Sequence, residues 1–269
     1  MLVSFLLVAA ALPAQGRVFG VAVHTNLEAM RANPTAFHNV KVKFTVQFAS
    51  LGRISNPFFT KFVPTDYANF YAWGDEQKIW QEKVYNDVFG TLFLSKTNRQ
   101  LHSLYSLRLY QRIQCTAVVR NTFQGLPWLE VLEFAVLDEH LDTAVLTHMH
   151  RGENLMKQRL WQRAITELSL APGAGVPKTV TKAAHKNLGV CLLRMGESQA
   201  AIGYLQSASA MSKGRDFEVE NLLAMAKSSP AKAIDRTVDS STLQDSERPM
   251  WEAFEGDRAA TPMTRVLGR

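Results

Sequence analysis

The stretch NLGVCLLRMGESQAAIGYLQSASA, which runs from Asn187 to Ala210, decides how the C-terminal half of this chain folds. It contains a small, small, large, small series at fixed offsets: Gly189, Ala201, Leu205 and Ala208. Gly196 and Glu197 divide the stretch into two runs, because glycine favours the left-handed backbone that ends a helix. The pattern predicts two antiparallel helices that pack closely where the small residues meet.

The same series occurs a second time upstream, in RGENLMKQRLWQRAITELSLA. Its members, at the same offsets, are Gly152, Ala164, Leu168 and Ala171. The two leading glycines lie 37 residues apart, and the loop APGAGVPKT between the copies holds two prolines and two glycines that prevent a continuous helix. The sequence therefore predicts two consecutive helical hairpins.

This pattern resembles tetratricopeptide (TPR) repeats, whose period is about 34 residues, over about residues 147–212. The second copy has a full set of residues where the family places its packing positions: Leu188, Gly189, Leu192, Gly196, Ala201, Leu205 and Ala208. The first copy has Arg159 where a turn glycine is usual and Trp161 where an aromatic is common. A further helix over Phe217 to Ser229 would cover the open flank of the second repeat. We expect a TPR-like helical domain over residues 138–229.

The segment from Val40 to Phe48, VKVKFTVQF, alternates apolar and polar residues and predicts a half-exposed strand with Lys41 and Lys43 on its wet face. A β-rich region with FFTKFV and ANFYAW follows, then an ambiguous stretch at Asp75 to Asp87 and a short strand, GTLFLSK. A short helix with Asn98 as its potential cap precedes a hairpin, whose first strand places Arg112 on the wet face. This order resembles an oligonucleotide/oligosaccharide-binding (OB) barrel over residues 40–137. The fold class is then α+β.

The two ends of the chain have different compositions from its middle. Residues 1–16, MLVSFLLVAAALPAQG, are typical of an export signal, although no Lys or Arg precedes the apolar run; a buried amphipathic start and a misassigned first Met are the alternatives. Residues 17–39 form a leader with one short helix around Leu27 to Ala32. Residues 230–269 are expected to be mostly disordered, with one apolar cluster at Met250, Trp251 and Phe254. We expect a protein without a transmembrane span that is exported to the periplasm or the exterior.

No motif in the sequence indicates catalysis, a cofactor or a metal. Cys115 and Cys191 are too few and too distant for a zinc site, and their apolar surroundings indicate buried free thiols. His148 and His150 are two residues apart and would face different sides of a helix. The run LDEHLD, which begins at residue 137, could do acid–base chemistry but is also typical of an acidic helix start. An uncharacterised hydrolase is the least favoured function.

Two binding functions remain. The TPR resemblance implies a concave surface for a protein partner, with Met156, Asn187, Val190 and Arg194 as candidate contact residues, and hence an envelope scaffolding or interaction protein. The alternative is an anionic oligomer, either single-stranded nucleic acid or a polysaccharide, bound by Lys41, Lys43 and Arg112 of a basic barrel. The formal net charge of +6 permits both. Core-facing positions for Phe44, Phe48 and Phe93, together with the export signal, disfavour nucleic acid. The repeats could also pack on the barrel instead of binding a partner.

Overall fold

The computed structural model describes residues 20–212 and 214–228 of the chain; the expected export signal and C-terminal tail lie outside them. The strands in this part of the chain are β1 (Val23–His24), β2 (Lys41–Gly52), β3 (Tyr67–Gly74), β4 (Phe89–Ser95), β5 (Arg112–Phe123) and β6 (Leu126–Val136). The helices are α1 (Leu27–Ala32), α2 (Glu82–Tyr85), α3 (Leu101–Tyr105), α4 (Thr143–Lys157), α5 (Trp161–Ser169), α6 (Lys178–Arg194), α7 (Ser198–Ala210) and α8 (Phe217–Ser228).

Five of the strands form a closed barrel. Their order is β2-β3-β4-β6-β5, and β5 pairs back onto β2. All pairs are antiparallel except β4 with β6, which is parallel. The expected sequence of a long strand, two further strands, a short helix and a hairpin is present as β2, β3, β4, α3, β5 and β6. The α+β character and the barrel are thus confirmed.

The barrel interior is filled by the alternating residues of its long strands. From β2 these are Val42, Phe44, Val46 and Phe48, and from β5 they are Ile113, Cys115, Ala117 and Val119. Helix α1, with Leu27 and Met30 buried, joins the same core, and its first turn is capped by the Asn26 side chain. The period-2 pattern of the sequence therefore decides which side chains enter the barrel.

Three local expectations were wrong or incomplete. FFTKFV forms turns and no strand, because its Phe62 packs on the outside of the barrel against Phe93 and Trp128 and does not pair with a neighbouring strand. Phe93 is buried as expected, but in this outer cluster and not in the barrel core. Asn98 does not cap α3 directly; Gln100 precedes the helix, and the Asn98 side chain accepts the Gln100 N–H and donates to the carbonyl of Leu132.

The C-terminal helices pack where the small residues predicted close contact. A Cβ on Gly152 would lie 2.6 Å from the Leu168 side chain, and one on Gly189 would lie 2.5 Å from that of Leu205. The four alanines of the two series are also buried: Ala164, Ala171, Ala201 and Ala208. Two hairpins, α4–α5 and α6–α7, are therefore built on equivalent glycine–leucine contacts.

The turns inside the two hairpins have the same backbone form. Arg159 has a φ of 61° and Gly196 a φ of 81°, both in the left-handed region. After each of them, the next N–H bonds to a carbonyl five residues back: Leu160 to Leu155, and Glu197 to Leu192. Arginine stands where the second hairpin uses glycine, and it adopts the same left-handed conformation at a greater steric cost.

The barrel and the helices share one hydrophobic core. It joins Trp73, Ile79, Trp80, Tyr85 and Tyr110 of the barrel region to residues of α4, α5 and α6, among them Leu146, Met149, Leu168, Leu188 and Cys191. Helix α8 covers the far side of the second hairpin, where Ala226 packs with Leu192, Leu193 and Leu205. None of the helices within residues 20–212 and 214–228 has the length and apolar character to cross a membrane.

Candidate partner-binding surface

The first helix of each hairpin, α4 or α6, presents one face to the barrel side of the molecule. On α4 this face carries Glu153, whose carboxylate accepts hydrogen bonds from three neutral N–H groups. The Trp80 indole Nε1 lies 2.8 Å and the Gln81 Nε2 2.6 Å from its two oxygens. The Asn187 Nδ2 on α6 adds a third bond at 3.3 Å. The Glu153 carboxylate therefore links α4 both to α6 and to the segment between β3 and β4.

The face of the first hairpin is occupied by the chain's own residues Ile79–Gln81. Ile79 is fully buried and Trp80 is 2% exposed, and both belong to the core shared with the helices. The Trp80 carbonyl also lies 3.0 Å from Nδ1 of His150. The possibility that the repeats pack on the barrel is thus realised for the first hairpin.

Two of the four candidate partner residues belong to this internal packing. Asn187 is buried and bonded to Glu153, and Met156, which is half-buried, packs against the shared core. The other two remain accessible: Val190 is half-buried and Arg194 is exposed. The accessible part of the predicted surface therefore lies on the second hairpin.

Ion pairs connect α6 to the start of α8 beside this accessible region. Lys186 Nζ lies 2.7 Å from a carboxylate oxygen of Glu218, and Lys182 Nζ lies 2.6 Å from one of Asp216. The hydrogen bond from Lys182 lowers the pKa of Asp216, and burial opposes this only in part. These pairs engage Lys182 and Lys186, whereas Lys178 and Arg194, at the two ends of α6, are exposed.

The barrel residues expected to bind an anion are not equivalent. Arg112 is only 14% exposed and is bound by two carboxylates, Asp75 at 2.7 Å and Glu139 at 2.6 Å. Burial alone would lower the pKa of Arg112, but the bonds and charges of Asp75 and Glu139 outweigh it and raise the pKa. Its positive charge is thus neutralised within the protein.

Lys41 and Lys43 lie on the same outer face of β2, opposite Val118 and Thr116 of β5. Both are half-buried, and neither forms an ion pair with a carboxylate in the described ranges. Further along the same face of β2, Gln47 pairs with Arg112 and is 1% exposed. The wet face predicted from the sequence therefore extends over only the first part of the strand.

The acidic and histidine residues that could take part in acid–base chemistry or metal binding make structural contacts. Asp142 caps α4 through the Val145 N–H, Glu139 pairs with Arg112, and His140 bonds to the Asp138 carbonyl. His148 binds Glu167 at 2.8 Å, whereas His150 faces Trp80. Within residues 20–212 and 214–228 no three His, Cys, Asp or Glu side chains are grouped as metal ligands would be.

The two cysteines are buried and unpaired, as the sequence indicated. Burial raises the pKa of the Cys191 thiol to about 12 and raises that of Cys115 as well. Because the thiolate is the reactive form, neither residue is suited to nucleophilic chemistry. They act as small apolar side chains in the cores of the helices and the barrel.

Sequence reasoning missed Trp80, Gln81 and Glu153. The segment Asp75 to Asp87 shows no clear period, since its apolar residues enter a core supplied by distant helices. One signal was present: Glu153 lies 37 residues before Val190, so a charged residue stands at the position equivalent to an expected contact residue. That charge indicates a polar partner for the first hairpin.

Comparisons with protein-family models, with curated proteins and with solved structures give no match for this chain.

Proposed function

We propose that this is a non-catalytic, exported interaction or scaffolding protein that binds a partner protein through TPR-like helices. The observation that carries the proposal is the difference between the two hairpins. The face of the first is filled by Ile79–Gln81 of the same chain, whereas the second leaves Val190 and Arg194 accessible. A helical face that accepts a segment of the same chain in one copy is suited to accept a partner segment in the next.

The finer family resemblances are part of this proposal. The equal Gly152–Leu168 and Gly189–Leu205 contacts and the matching left-handed turns support repeated TPR-like units. The strand order, with its parallel β4–β6 pair and α3 between β4 and β5, supports an OB-like barrel. In this interpretation the barrel is a platform on which the first repeat is fixed.

The charge of the accessible region suggests a partner segment with acidic character. Arg194 is exposed on α6, and Lys227 is exposed on α8 at the position 37 residues after Val190. Helix α6 contains no Asp or Glu, and Glu197, exposed at the start of α7, is the acidic residue nearest to Arg194 in the sequence. A basic surface beside a half-buried Val190 would favour a peptide with an apolar residue flanked by carboxylates.

An anionic oligomer bound to the barrel is less well supported. Arg112 is neutralised by two carboxylates, and Phe62 covers Phe93 and Trp128 on the outside of the barrel. OB barrels bind through the face of their second and third strands, which here correspond to β3 and β4. Lys41 and Lys43 lie on β2, away from that face, and remain the candidate contacts for this alternative.

A photocrosslinking residue placed at Arg194 tests the proposal in cells that make the full chain. We expect a discrete adduct with a partner protein from this position. The same residue at Gln206, exposed on α7, is the matched control and should give no such adduct. Equal adducts from both positions, or none from Arg194, would contradict a binding surface on the second hairpin.

Export is tested separately by determining the N-terminus of the protein from fractionated cells. We expect a mature chain that begins after residue 16 and is recovered outside the cytoplasm. A cytosolic protein that still begins at Met1 would contradict the localisation, and it would restore nucleic acid as a candidate ligand.

A further inference from the structure

Two loops of the barrel bring four apolar side chains together at one end. The β2–β3 connection places the Phe59 ring on the Phe123 ring of the β5–β6 hairpin, with centroids 5.0 Å apart and planes 19° from parallel. The Asn121 side chain donates to the Phe59 carbonyl at 3.4 Å. We define the aromatic tip as Phe58, Phe59, Phe123 and Leu126.

The aromatic tip is exposed to an unusual degree. Phe58 is 90% and Phe59 65% exposed, and Leu126 is 39% exposed. Two phenylalanine side chains at these fractions present about 300 Å² of apolar surface, the size of patch that on soluble proteins is often functional. Internal packing does not explain Phe58, whose ring contributes almost nothing to the core.

The loop below the tip is firmly held. Phe62 stacks on Phe93 at 4.1 Å and lies 6.1 Å from Trp128, and it is fully buried. The Thr60 hydroxyl donates to the Asn56 carbonyl at 2.7 Å, which closes the turn that carries Phe58 and Phe59. The rings are therefore presented on a fixed base, so their exposure is a property of the fold.

Basic residues surround this base. Lys61 and Arg120 both bind Glu130, at 2.7 Å each, and Arg53 is exposed on the same connection. Burial would raise the pKa of Glu130, but the hydrogen bonds from Lys61 and Arg120 outweigh it and lower the pKa, so the carboxylate is ionised at neutral pH. With the exposed Asp66 of the same connection counted, three cations stand against two carboxylates, which leaves a net positive charge of one.

We propose that the aromatic tip inserts into the surface of a lipid bilayer that contains anionic headgroups. The side chains of the tip are largely exposed, and a bilayer can receive such rings at the depth of its headgroup and upper acyl region. Basic side chains behind the rings would meet the anionic headgroups. This places the barrel end of the protein on a membrane and goes beyond the proposed partner binding.

Nucleic acid fits the tip less well than lipid. Phe59 already stacks on Phe123, so one of its faces is unavailable to a base. Leu126 has no ring on which a base could stack, although it is equally suited to hydrocarbon.

The first experiment places a reporter in the tip of the full chain. In Phe58→Trp, we expect a blue shift and quenching by brominated lipid when vesicles of phosphatidylcholine with about one third phosphatidylglycerol are added. The spectrum of the unmodified protein is subtracted, because the chain has five tryptophans. This readout reports the tip itself, even if the apolar N-terminus also binds lipid. An unchanged Phe58→Trp spectrum would overturn the proposal.

The second experiment compares matched variants in vesicle flotation. Phe58→Ser/Phe59→Ser should bind anionic vesicles at least about tenfold less than the unmodified chain, because it lacks the two rings that would be buried in the bilayer. Phe217→Ser on α8, where the ring is 64% exposed, is the control and should bind normally. Binding of the unmodified chain should weaken at high salt.

Other occupants of the tip would give different results. If the double variant binds vesicles normally but converts a dimer to a monomer in sedimentation velocity, a second copy of the chain covers the tip and the proposal is wrong. If it binds vesicles normally but loses affinity for single-stranded DNA, the occupant is nucleic acid and the proposal is also wrong.

Discussion

The indole nitrogen of Trp80 lies 2.8 Å from a carboxylate oxygen of Glu153. This contact joins the β3–β4 connection of the barrel to the first helix of the first hairpin, where Gln81 and Asn187 also donate to the carboxylate. Because Trp80 is buried in the core that both parts share, the barrel and the hairpins are stabilised together. The chain should therefore unfold as a cooperative unit over this region.

Glu153→Ala should lower the free energy of unfolding by about 2 kcal/mol. The substitution leaves the N–H donors of Trp80, Gln81 and Asn187 without their acceptor in a partly buried place, and such groups are costly when unpaired. Urea denaturation followed by tryptophan fluorescence measures the change. Glu82→Ala, at an exposed position of α2, is the control and should change stability by less than about 0.5 kcal/mol. Equal stability of the two variants would show that the carboxylate is not a significant link.

Acid should destabilise the protein partly through Glu130. Its folded pKa is lowered by Lys61 and Arg120 against the opposing effect of burial, so its contribution is fully present above the pKa of an unfolded glutamate and is lost as the pH falls through the folded value. The urea midpoint should decrease as the pH falls from about 5 to about 3. In Glu130→Gln this dependence should be shallower. An identical pH dependence for both proteins would contradict the role given to this carboxylate.

The cysteine thiols should be protected in the native state. Cys115 and Cys191 are buried and unpaired, and burial holds the pKa of Cys191 at about 12. Ellman's reagent should therefore label both only as the protein unfolds, at a rate that follows global opening. Rapid labelling of either thiol in native buffer would contradict the assigned burial, and a mass two units lower without reductant would reveal a disulfide.

Regular patterns in the sequence predicted the parts of the fold that obey a local period. The alternation around Val42 to Phe48 gave the correct interior of β2, and the two glycine-led series gave the correct helix contacts. The segments that failed depend on distant residues. Phe58–Val63 has the composition of a strand, but its Phe62 packs in the outer cluster with Phe93. Asp75–Asp87 has no period, because Ile79 and Trp80 enter a core that α4 and α6 complete.

The candidate site could be predicted only in part, for the same reason. Val190 and Arg194 follow from the repeat register and are accessible, but the sequence carries no local sign that Asn187 is buried against Glu153 or that Met156 packs on the shared core. Likewise, the alternation of β5 placed Arg112 outside the barrel correctly, while its pairing with Asp75 and Glu139 depends on two segments far away in the chain. Long-range packing thus decides which of the expected contacts stay available.

The glycine–leucine contacts are the basis of the whole helical region, and Gly189 tests them most directly. The measurement is the free energy of unfolding of Gly189→Ala, compared with that of the control variant Gly203→Ala in helix α7. A Cβ at position 189 would lie 2.5 Å from Leu205, whereas nothing lies within 4 Å of one at position 203. We predict a loss of about 2 kcal/mol for Gly189→Ala and a gain of about 0.5–1 kcal/mol for Gly203→Ala. Equal changes, or a gain at both positions, would contradict close packing of the two helices.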